Sequence, residues 1–158
     1  GDRVAVIGKN GSGKSSILKL LTGEEIAYEG SLRVGSNLAV SYISQDTSFL
    51  RGNLKDFSKA EAIEESLFKA ILRKLDFERI QFEKDMSEFS EGQKKKVLIA
   101  KSLCQQAHLY IWDEPLNFID VISRIQIEEL LLKHGPTMIF VEHDRAFNSA
   151  VATKQVFL

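Results

Sequence analysis

The stretch Gly8-Lys9-Asn10-Gly11-Ser12-Gly13-Lys14-Ser15 decides the fold of this chain. It follows an apolar run at 4–7 that is typical of a strand, and it precedes a helix-like run at 16–21. Glycines in such a turn permit positive backbone φ, so backbone N–H groups can point at phosphate oxygens. The lysine adds a positive charge, the last serine adds a hydroxyl ligand for Mg²⁺, and the helix directs the positive end of its dipole at the same anion. The stretch therefore predicts a nucleoside triphosphate site, formed by Gly8, Asn10, Gly11, Ser12, Gly13, Lys14, Ser15 and Ser16.

Composition indicates a globular protein with one core. The chain has 158 residues, of which 44% are hydrophobic and 27% charged, enough for one sizeable core but not for two comfortable domains. A formal net charge of -1 excludes a general positive field toward nucleic acid or anionic membrane. The single cysteine, Cys104, excludes an internal disulfide, and no apolar run is long enough to span a bilayer. We expect a cytoplasmic protein without membrane insertion, and the strand-like run at 155–158 suggests a piece of a longer chain.

Alternating strand and helix patterns predict an α/β fold of the P-loop nucleoside triphosphatase type, with a mostly parallel sheet flanked by helices. Beyond the first strand, the predicted strands cover 30–35, 38–43, 109–112, 137–141 and 155–158. The predicted helices cover 58–76, 78–84, 90–105 and 120–133, and capping boxes begin those at Ser58 and Ser90. We assign 1–53 and 106–158 to a nucleotide-binding core and 54–105 to a small helical subdomain.

Polar side chains follow three of the predicted strands. Besides the loop at 8–15, Asp113 and Glu114 come directly after a buried strand, and His143 follows another. The carboxyl ends of parallel strands line the ligand crevice, so these groups can converge on one nucleotide. Asp113 would hold Mg²⁺ opposite Ser15, Glu114 would orient or deprotonate the attacking water, and His143 would contact the γ-phosphate.

Other polar residues have purely structural explanations. A helix cap explains the sequence at 90–93 without any ligand. A lone histidine at a strand end is most often structural, and we interpret His108 and His134 in this way. The lysines at 94–96 are expected to form a solvated helix face, with contact to RNA as the alternative.

Phe89-Ser90-Glu91-Gly92-Gln93 nevertheless closely resembles the Leu-Ser-Gly-Gly-Gln signature loop of ATP-binding cassette (ABC) ATPases. The whole chain resembles the nucleotide-binding domain of that family, with six motifs in the family's order. The resemblance implies Walker A at 8–15, the Q-loop at Gln45, the signature at Ser90, Glu91, Gly92 and Gln93, Walker B at 109–114, the D-loop at 117–120 with Asp120, and the switch histidine at His143. It further implies ATP and Mg²⁺ as ligands, Ser15, Gln45 and Asp113 on the metal, and Glu114, His143 and Gln45 in catalysis.

In this family ATP lies between Walker A of one cassette and the signature of another, in the same chain or in a dimer. The signature residues of this chain would therefore act in trans. Glu91 stands where the family has glycine, and it would place a carboxylate near the partner's γ-phosphate unless its side chain turns away.

The strings at 112–120 and 142–147 resemble subfamily F, whose members lack membrane domains. The runs at 114–120 and 90–96 look most like the antibiotic-resistance members, which act on the ribosome. The resemblance implies an ATPase, the second of two cassettes, with little activity as an isolated fragment. Two alternatives stay open: the ATP-hydrolysing subunit of a membrane transporter, docked to a membrane domain, and an ATP sensor without turnover.

Overall fold

A parallel sheet of five strands carries the predicted site. The computed structural model describes residues 1–158 throughout. The strands are β1 (Arg3–Ile7), β2 (Val40–Ile43), β3 (Leu109–Asp113), β4 (Met138–Val141) and β5 (Lys154–Phe157). Their order is β2-β3-β4-β1-β5, and every neighbouring pair is parallel. Because β3, β4 and β1 are neighbours, the three polar segments that follow them leave the sheet side by side.

Helices connect these strands and cover both faces of the sheet. They are α1 (Lys14–Leu21), α2 (Leu54–Ala60), α3 (Glu65–Lys74), α4 (Glu91–Cys104), α5 (Val121–His134) and α6 (Arg145–Val151). On one face Ile111 and Val141 cluster with Leu18 of α1, whereas Trp112 and Phe140 belong to a larger cluster on the other face. Burial on both faces explains why β3 and β4 are apolar without alternation.

The larger cluster contains 23 buried residues and runs from the sheet into the helices between β2 and β3. Trp112 of the sheet, Phe68 of α3 and Ala100 of α4 are all fully buried in it. The division into a core and a helical subdomain at 54–105 stays a prediction. None of the helices combines the length and apolar character that crossing a bilayer requires.

Two predicted elements are wrong. The run at 30–35 is not a strand, because no neighbouring strand pairs with it, and Val34 is about half exposed. The helix predicted at 58–76 is two helices, since Ala62 has a left-handed φ of 52° and Glu64 caps α3 by accepting from the Leu67 N–H. Ser58 caps nothing and lies inside α2, where its hydroxyl donates to the Lys55 carbonyl.

The predicted helices at 90–105 and 120–133 are confirmed to within a residue, as is the strand at 109–112. The segment predicted as a short helix at 78–84 forms a 3₁₀ helix over Arg79–Glu83. The sequence pattern does not predict helix α6. Asp144 caps this helix, and its residues Phe147 and Val151 are buried in the core. Its apolar residues are too few for a clear helical period.

Candidate nucleotide site

The glycine-rich loop between β1 and α1 folds around its own lysine. Gly11 and Gly13 have φ of 81° and 92°, a conformation that costs residues with a Cβ about 1–2 kcal/mol. No neighbouring atom would obstruct a Cβ at either position, so the requirement for glycine is conformational. Lys14 is buried, and its Nζ donates to the carbonyl oxygens of Gly8 and Lys9, at 2.9 Å each.

Helix α1 begins without a side-chain cap. Its N-cap is Gly13, which has no side chain to accept a hydrogen bond, and the first turn contains no acidic residue. The first N–H groups of the helix therefore keep their hydrogen-bonding capacity for an anion, and the helix dipole adds to the attraction.

Gln45 joins the other two predicted metal ligands, Ser15 and Asp113. Its Nε2 donates to the Ser15 hydroxyl at 3.1 Å and to Asp113 Oδ1 at 3.0 Å. These residues come from the start of α1, the loop after β2 and the end of β3, so only the fold brings them together. The set offers a hydroxyl, a carboxylate and an amide oxygen, which are the hard oxygen donors that Mg²⁺ prefers.

Glu114 is held from both sides. Its Oε1 lies 2.9 Å from His143 Nε2, and its Oε2 accepts a hydrogen bond from Asn117 Nδ2 at 2.9 Å. The backbone of Glu114 is left-handed, with φ of 49°, and its N–H donates to the Val141 carbonyl at 3.0 Å. The contact with Asn117 had no signal in the sequence beyond a spacing of three residues.

These side chains line one cleft of about 470 Å³ with no hydrophobic residue in its wall. The wall consists of Asn10, Gly11, Gly13, Lys14, Ser15, Ser16, Gln45, Glu114 and His143. Asp113 is buried beneath it and reaches it through Gln45. The signature residues at 90–93 are not part of the wall.

The signature residues form the start of α4. Ser90 and Gln93 make the predicted capping box, with the Gln93 N–H donating to Ser90 Oγ at 3.2 Å and the Ser90 N–H to Gln93 Oε1 at 3.0 Å. A Cβ on Gly92 would collide with the carbonyl oxygen of Phe118. Gly92 is therefore required for close packing of α4 against the segment at 117–120.

Glu91 is turned toward the Gln45 loop. Its Oε2 accepts a hydrogen bond from the Thr47 hydroxyl at 2.6 Å, and its Oε1 lies 3.6 Å from Lys94 Nζ. The hydrogen bond from Thr47, helped by Lys94, lowers the pKa of Glu91 and keeps it charged. The sequence alone gave no sign of the contact, which joins residues 44 positions apart.

The prediction of a solvated face for the lysines at 94–96 is wrong, since Lys95 and Lys96 are buried and the Lys94 side chain is 14% exposed. Lys95 is 3% exposed, and its Nζ donates to the carbonyl oxygens of Ser44 at 3.2 Å and Gln45 at 2.9 Å. Burial lowers the pKa of Lys95, while the charges of Asp113 and neighbouring carboxylates oppose that shift. The reason is that α4 packs against the sheet, so its first turns face the Gln45 loop.

Lys96 is buried as well, and its Nζ lies 2.7 Å from Asp120 Oδ2. Asp120 caps α5 by accepting from the Ser123 N–H at 2.8 Å. Partial burial would raise the pKa of Asp120, but the hydrogen bonds from Lys96 and Ser123 prevail and lower it to about 2. The D-loop is thus tied to the same helix that begins with the signature.

The phosphate loop follows the first strand of a parallel sheet, and acidic and histidine side chains lie at the ends of two neighbouring strands. This arrangement defines a P-loop nucleotide-binding domain. The family model described as ABC transporter matches residues 1–117. The chain therefore belongs to the ABC transporter family, whose ATPase domains bind ATP, generally with Mg²⁺.

Relatives of this chain belong to subfamily F of the ABC proteins. The chain is 33% identical to the ribosome protection protein VmlR of Bacillus subtilis (strain 168), over 93% of this chain and 27% of that protein. It is 30% identical to ABC transporter F family member 2 of Arabidopsis thaliana, over 99% of this chain and 24% of that protein. The chain thus spans less than a third of the length of these relatives, and it fits subfamily F of the ABC proteins.

A solved structure supports the same fold. The crystal structure of the complex of an archaeal ribosomal stalk protein and the archaeal ribosome recycling factor aABCE1 contains a chain that is 25% identical, with a TM-score of 0.79. The match covers 99% of this chain and 31% of that chain. The parallel sheet with flanking helices is therefore the fold of the ABC ATPase domains.

Proposed function

We propose that this chain binds and hydrolyses Mg²⁺-ATP as one cassette of an ABC-F protein that acts on the ribosome. The observation that carries the proposal is the position of Gln45, hydrogen-bonded to Ser15 and Asp113 in a cleft that also contains Lys14 and Glu114. This set combines a phosphate loop, oxygen ligands for a divalent cation and a carboxylate for the attacking water. Phosphoryl transfer to water needs these elements and little else from a protein.

Ser15, Gln45 and Asp113 would hold the magnesium ion. Rotation of the Gln45 amide would turn its Oε1 toward the space that Nε2 now shares with Ser15 and Asp113. The ion would neutralise phosphate charge. Lys14 would exchange its two carbonyl partners for phosphate oxygens, since both partners belong to the loop that cradles them.

Glu114 would serve as the general base. Its carboxylate is held by His143 and Asn117, so it is oriented before the water arrives. The water oxygen forms a bond to the γ-phosphorus, the bond to the β–γ bridging oxygen breaks, and ADP leaves with that electron pair. Glu114 accepts the proton that the water loses, and His143 donates to the γ-phosphate.

A second cassette would complete the site. Ser90 and its neighbours lie outside the cleft of their own chain, which supports a role in trans. The surface beside them is apolar: Phe118, Val121 and Ile122 are 74%, 71% and 65% exposed. A surface of this kind fits a partner cassette better than water. An isolated single cassette would then turn over ATP slowly, because half of each composite site is absent.

The ribosome is proposed from the relatives. VmlR is named a ribosome protection protein, and the structural match above is to a ribosome recycling factor in complex with a ribosomal stalk protein. Both names support a cytoplasmic protein that uses ATP to control its binding to the ribosome, and the name of VmlR supports ribosome protection as its purpose. Protection from antibiotics is part of the proposal. We place this chain as the second cassette on the strength of its resemblance to the antibiotic-resistance members.

The test uses the full-length protein that contains this chain. We expect Glu114→Gln to abolish ATP turnover while keeping ATP binding, and to sediment with ribosomes only when Mg²⁺-ATP is present. Lys14→Ala should bind neither ATP nor ribosomes. Unchanged turnover in Glu114→Gln would refute the catalytic role, and sedimentation with membranes instead of ribosomes would refute the partner.

A further inference from the structure

The turn that carries Glu114 is held in an unfavourable backbone conformation. Glu114 and Phe118 have positive φ of 49° and 65°, and neither is a glycine. Left-handed residues with a Cβ persist only where the surrounding structure imposes them. One backbone hydrogen bond closes the turn on itself, from the Ile119 N–H to the Leu116 carbonyl at 3.1 Å, and Pro115 has no N–H to add another. A further contact from outside the turn must therefore hold it.

Glu142 supplies that contact. Its Oε1 accepts the Leu116 N–H at 2.7 Å, and both residues are buried, at 7% and 1% exposed. Glu142 is itself fixed, since it follows β4 directly and its carbonyl accepts from Asn148 Nδ2 at 2.9 Å. The sheet thus holds the turn at two points, because the Val141 carbonyl accepts the Glu114 N–H and the Glu142 side chain accepts the Leu116 N–H.

The other side of the turn is held by Arg124. Its Nη2 donates to the Leu116 carbonyl at 3.1 Å and its Nε to the Ile119 carbonyl at 3.0 Å, while its Nη1 lies 3.0 Å from Asp144 Oδ2. Arg124 therefore anchors the carbonyl groups of the segment, whereas Glu142 alone accepts the N–H of Leu116, two residues after Glu114. If Glu142 were removed, that buried N–H would have no acceptor.

We propose that Glu142 is a positioning residue for ATP hydrolysis: by accepting the Leu116 N–H, it fixes the turn that presents Glu114 to His143 and the cleft. The inference rests on the proposed role of Glu114 as general base. Glu142 is absent from the cleft that contains Glu114, although it lines a neighbouring cavity with Lys14 and His143. In this proposal it acts on hydrolysis through the Leu116 backbone.

The interaction does not depend on the charge of Glu142. Burial raises the pKa of Glu142 to about 7, and the charge of Glu114 adds to the rise, whereas the N–H groups of Leu116 and His143 and the charge of Arg124 oppose it. A carboxylate and a carboxylic acid both offer an oxygen acceptor. Glutamine offers one as well, so Glu142→Gln keeps the contact and Glu142→Met removes it at similar length.

The experiment compares these two variants in the full-length protein, with Glu129→Met on the exposed side of α5 as the matched control. In Glu142→Met we expect kcat for ATP to fall about tenfold or more, with the Kd for ATP unchanged. Glu142→Gln should stay within about threefold of the parent in kcat, and Glu129→Met should match the parent. A kcat in Glu142→Met equal to that of the parent, or an equal loss in Glu142→Gln, would overturn the proposal.

A second measurement does not depend on turnover. Hydrogen exchange of the Leu116 amide should be at least about tenfold faster in Glu142→Met than in the parent and unchanged in Glu142→Gln, while amides of α4 keep their protection. Replacing Leu116 by its α-hydroxy acid removes only the N–H, and we expect the same fall in kcat as in Glu142→Met. This replacement keeps the test available if Glu142→Met folds poorly. Unchanged exchange in Glu142→Met would refute the anchoring. A parent without ATP turnover, but with the expected exchange, would refute the proposed function instead.

Discussion

The Thr47 hydroxyl donates a hydrogen bond to the Glu91 carboxylate over 2.6 Å, and this joins the signature motif to the loop that carries Gln45. Thr47 is buried, whereas the Glu91 side chain is about half exposed. The contact directs the Glu91 carboxylate toward the Gln45 loop, which is the turned-away orientation that would relieve the electrostatic cost of a carboxylate in the signature.

Removing the Thr47 hydroxyl should release Glu91. In the full-length Glu114→Gln background, we expect Thr47→Val to weaken ATP-dependent closure of the two cassettes, since a free carboxylate would repel the γ-phosphate of the partner. Adding Glu91→Gln should restore closure, because the charge is gone. Cross-linking between the cassettes, titrated with ATP, measures both. Ser48→Ala, at an exposed neighbour, is the control, and a double variant no better than Thr47→Val would contradict the explanation.

Lys95 should control the affinity for Mg²⁺ through Gln45. Lys95→Met removes the donor that fixes the Ser44 and Gln45 carbonyl groups, so the Gln45 side chain loses its orientation. We expect the apparent affinity for Mg²⁺ in ATP turnover to fall about tenfold, with ATP binding in the absence of metal unchanged. Lys74→Met, on the exposed end of α3, should leave both values at those of the parent. Equal loss of the two affinities would show that Lys95 acts on the nucleotide site as a whole.

Gly92→Ala should destabilise the protein, although alanine normally favours a helix over glycine by about 1 kcal/mol. The added Cβ would collide with the Phe118 carbonyl, so α4 and the D-loop must separate. We expect the free energy of unfolding in urea to fall by about 1–3 kcal/mol. Gly35→Ala is the matched control, because a Cβ there meets nothing and its φ is not left-handed. A gain in stability in Gly92→Ala would disprove the close packing.

The pKa of Glu142 predicts how stability depends on pH. The folded-state pKa of about 7 lies above the ordinary value of 4.5 for glutamate, so the folded state binds the proton more tightly than the unfolded state. This contribution is fully present below pH 4.5 and is lost as pH rises through 7, and it amounts to up to about 3 kcal/mol. Glu142→Gln cannot ionise and should lose less stability than the parent between pH 5 and about 8. Urea unfolding of both proteins across that range measures the difference, and parallel curves would contradict a raised pKa.

Local signals predicted those parts of the structure whose interactions span few residues. The caps at Ser90 and Asp120 bond to N–H groups three positions later, and both helices begin where the sequence indicates. The apolar run at 109–112 predicts a strand that is buried on both faces, whatever its position in the sheet. The same reasoning failed at Ser58, because two other local caps, Asn53 and Glu64, begin α2 and α3 and leave Ser58 inside α2.

The amino-acid sequence by itself determined the phosphate loop, the helix caps and the kind of chemistry, because glycine conformations, caps and side-chain donors are properties of adjacent residues. The tertiary structure brings Gln45 to Asp113, as the family resemblance implied. Only the tertiary structure decided that Thr47 binds Glu91, that Lys95 is buried, and that Glu142 reaches Leu116. Those partners lie between 26 and 68 positions apart. Their distances depend on the order of the strands and on the packing of α4 against the sheet, which no local pattern encodes.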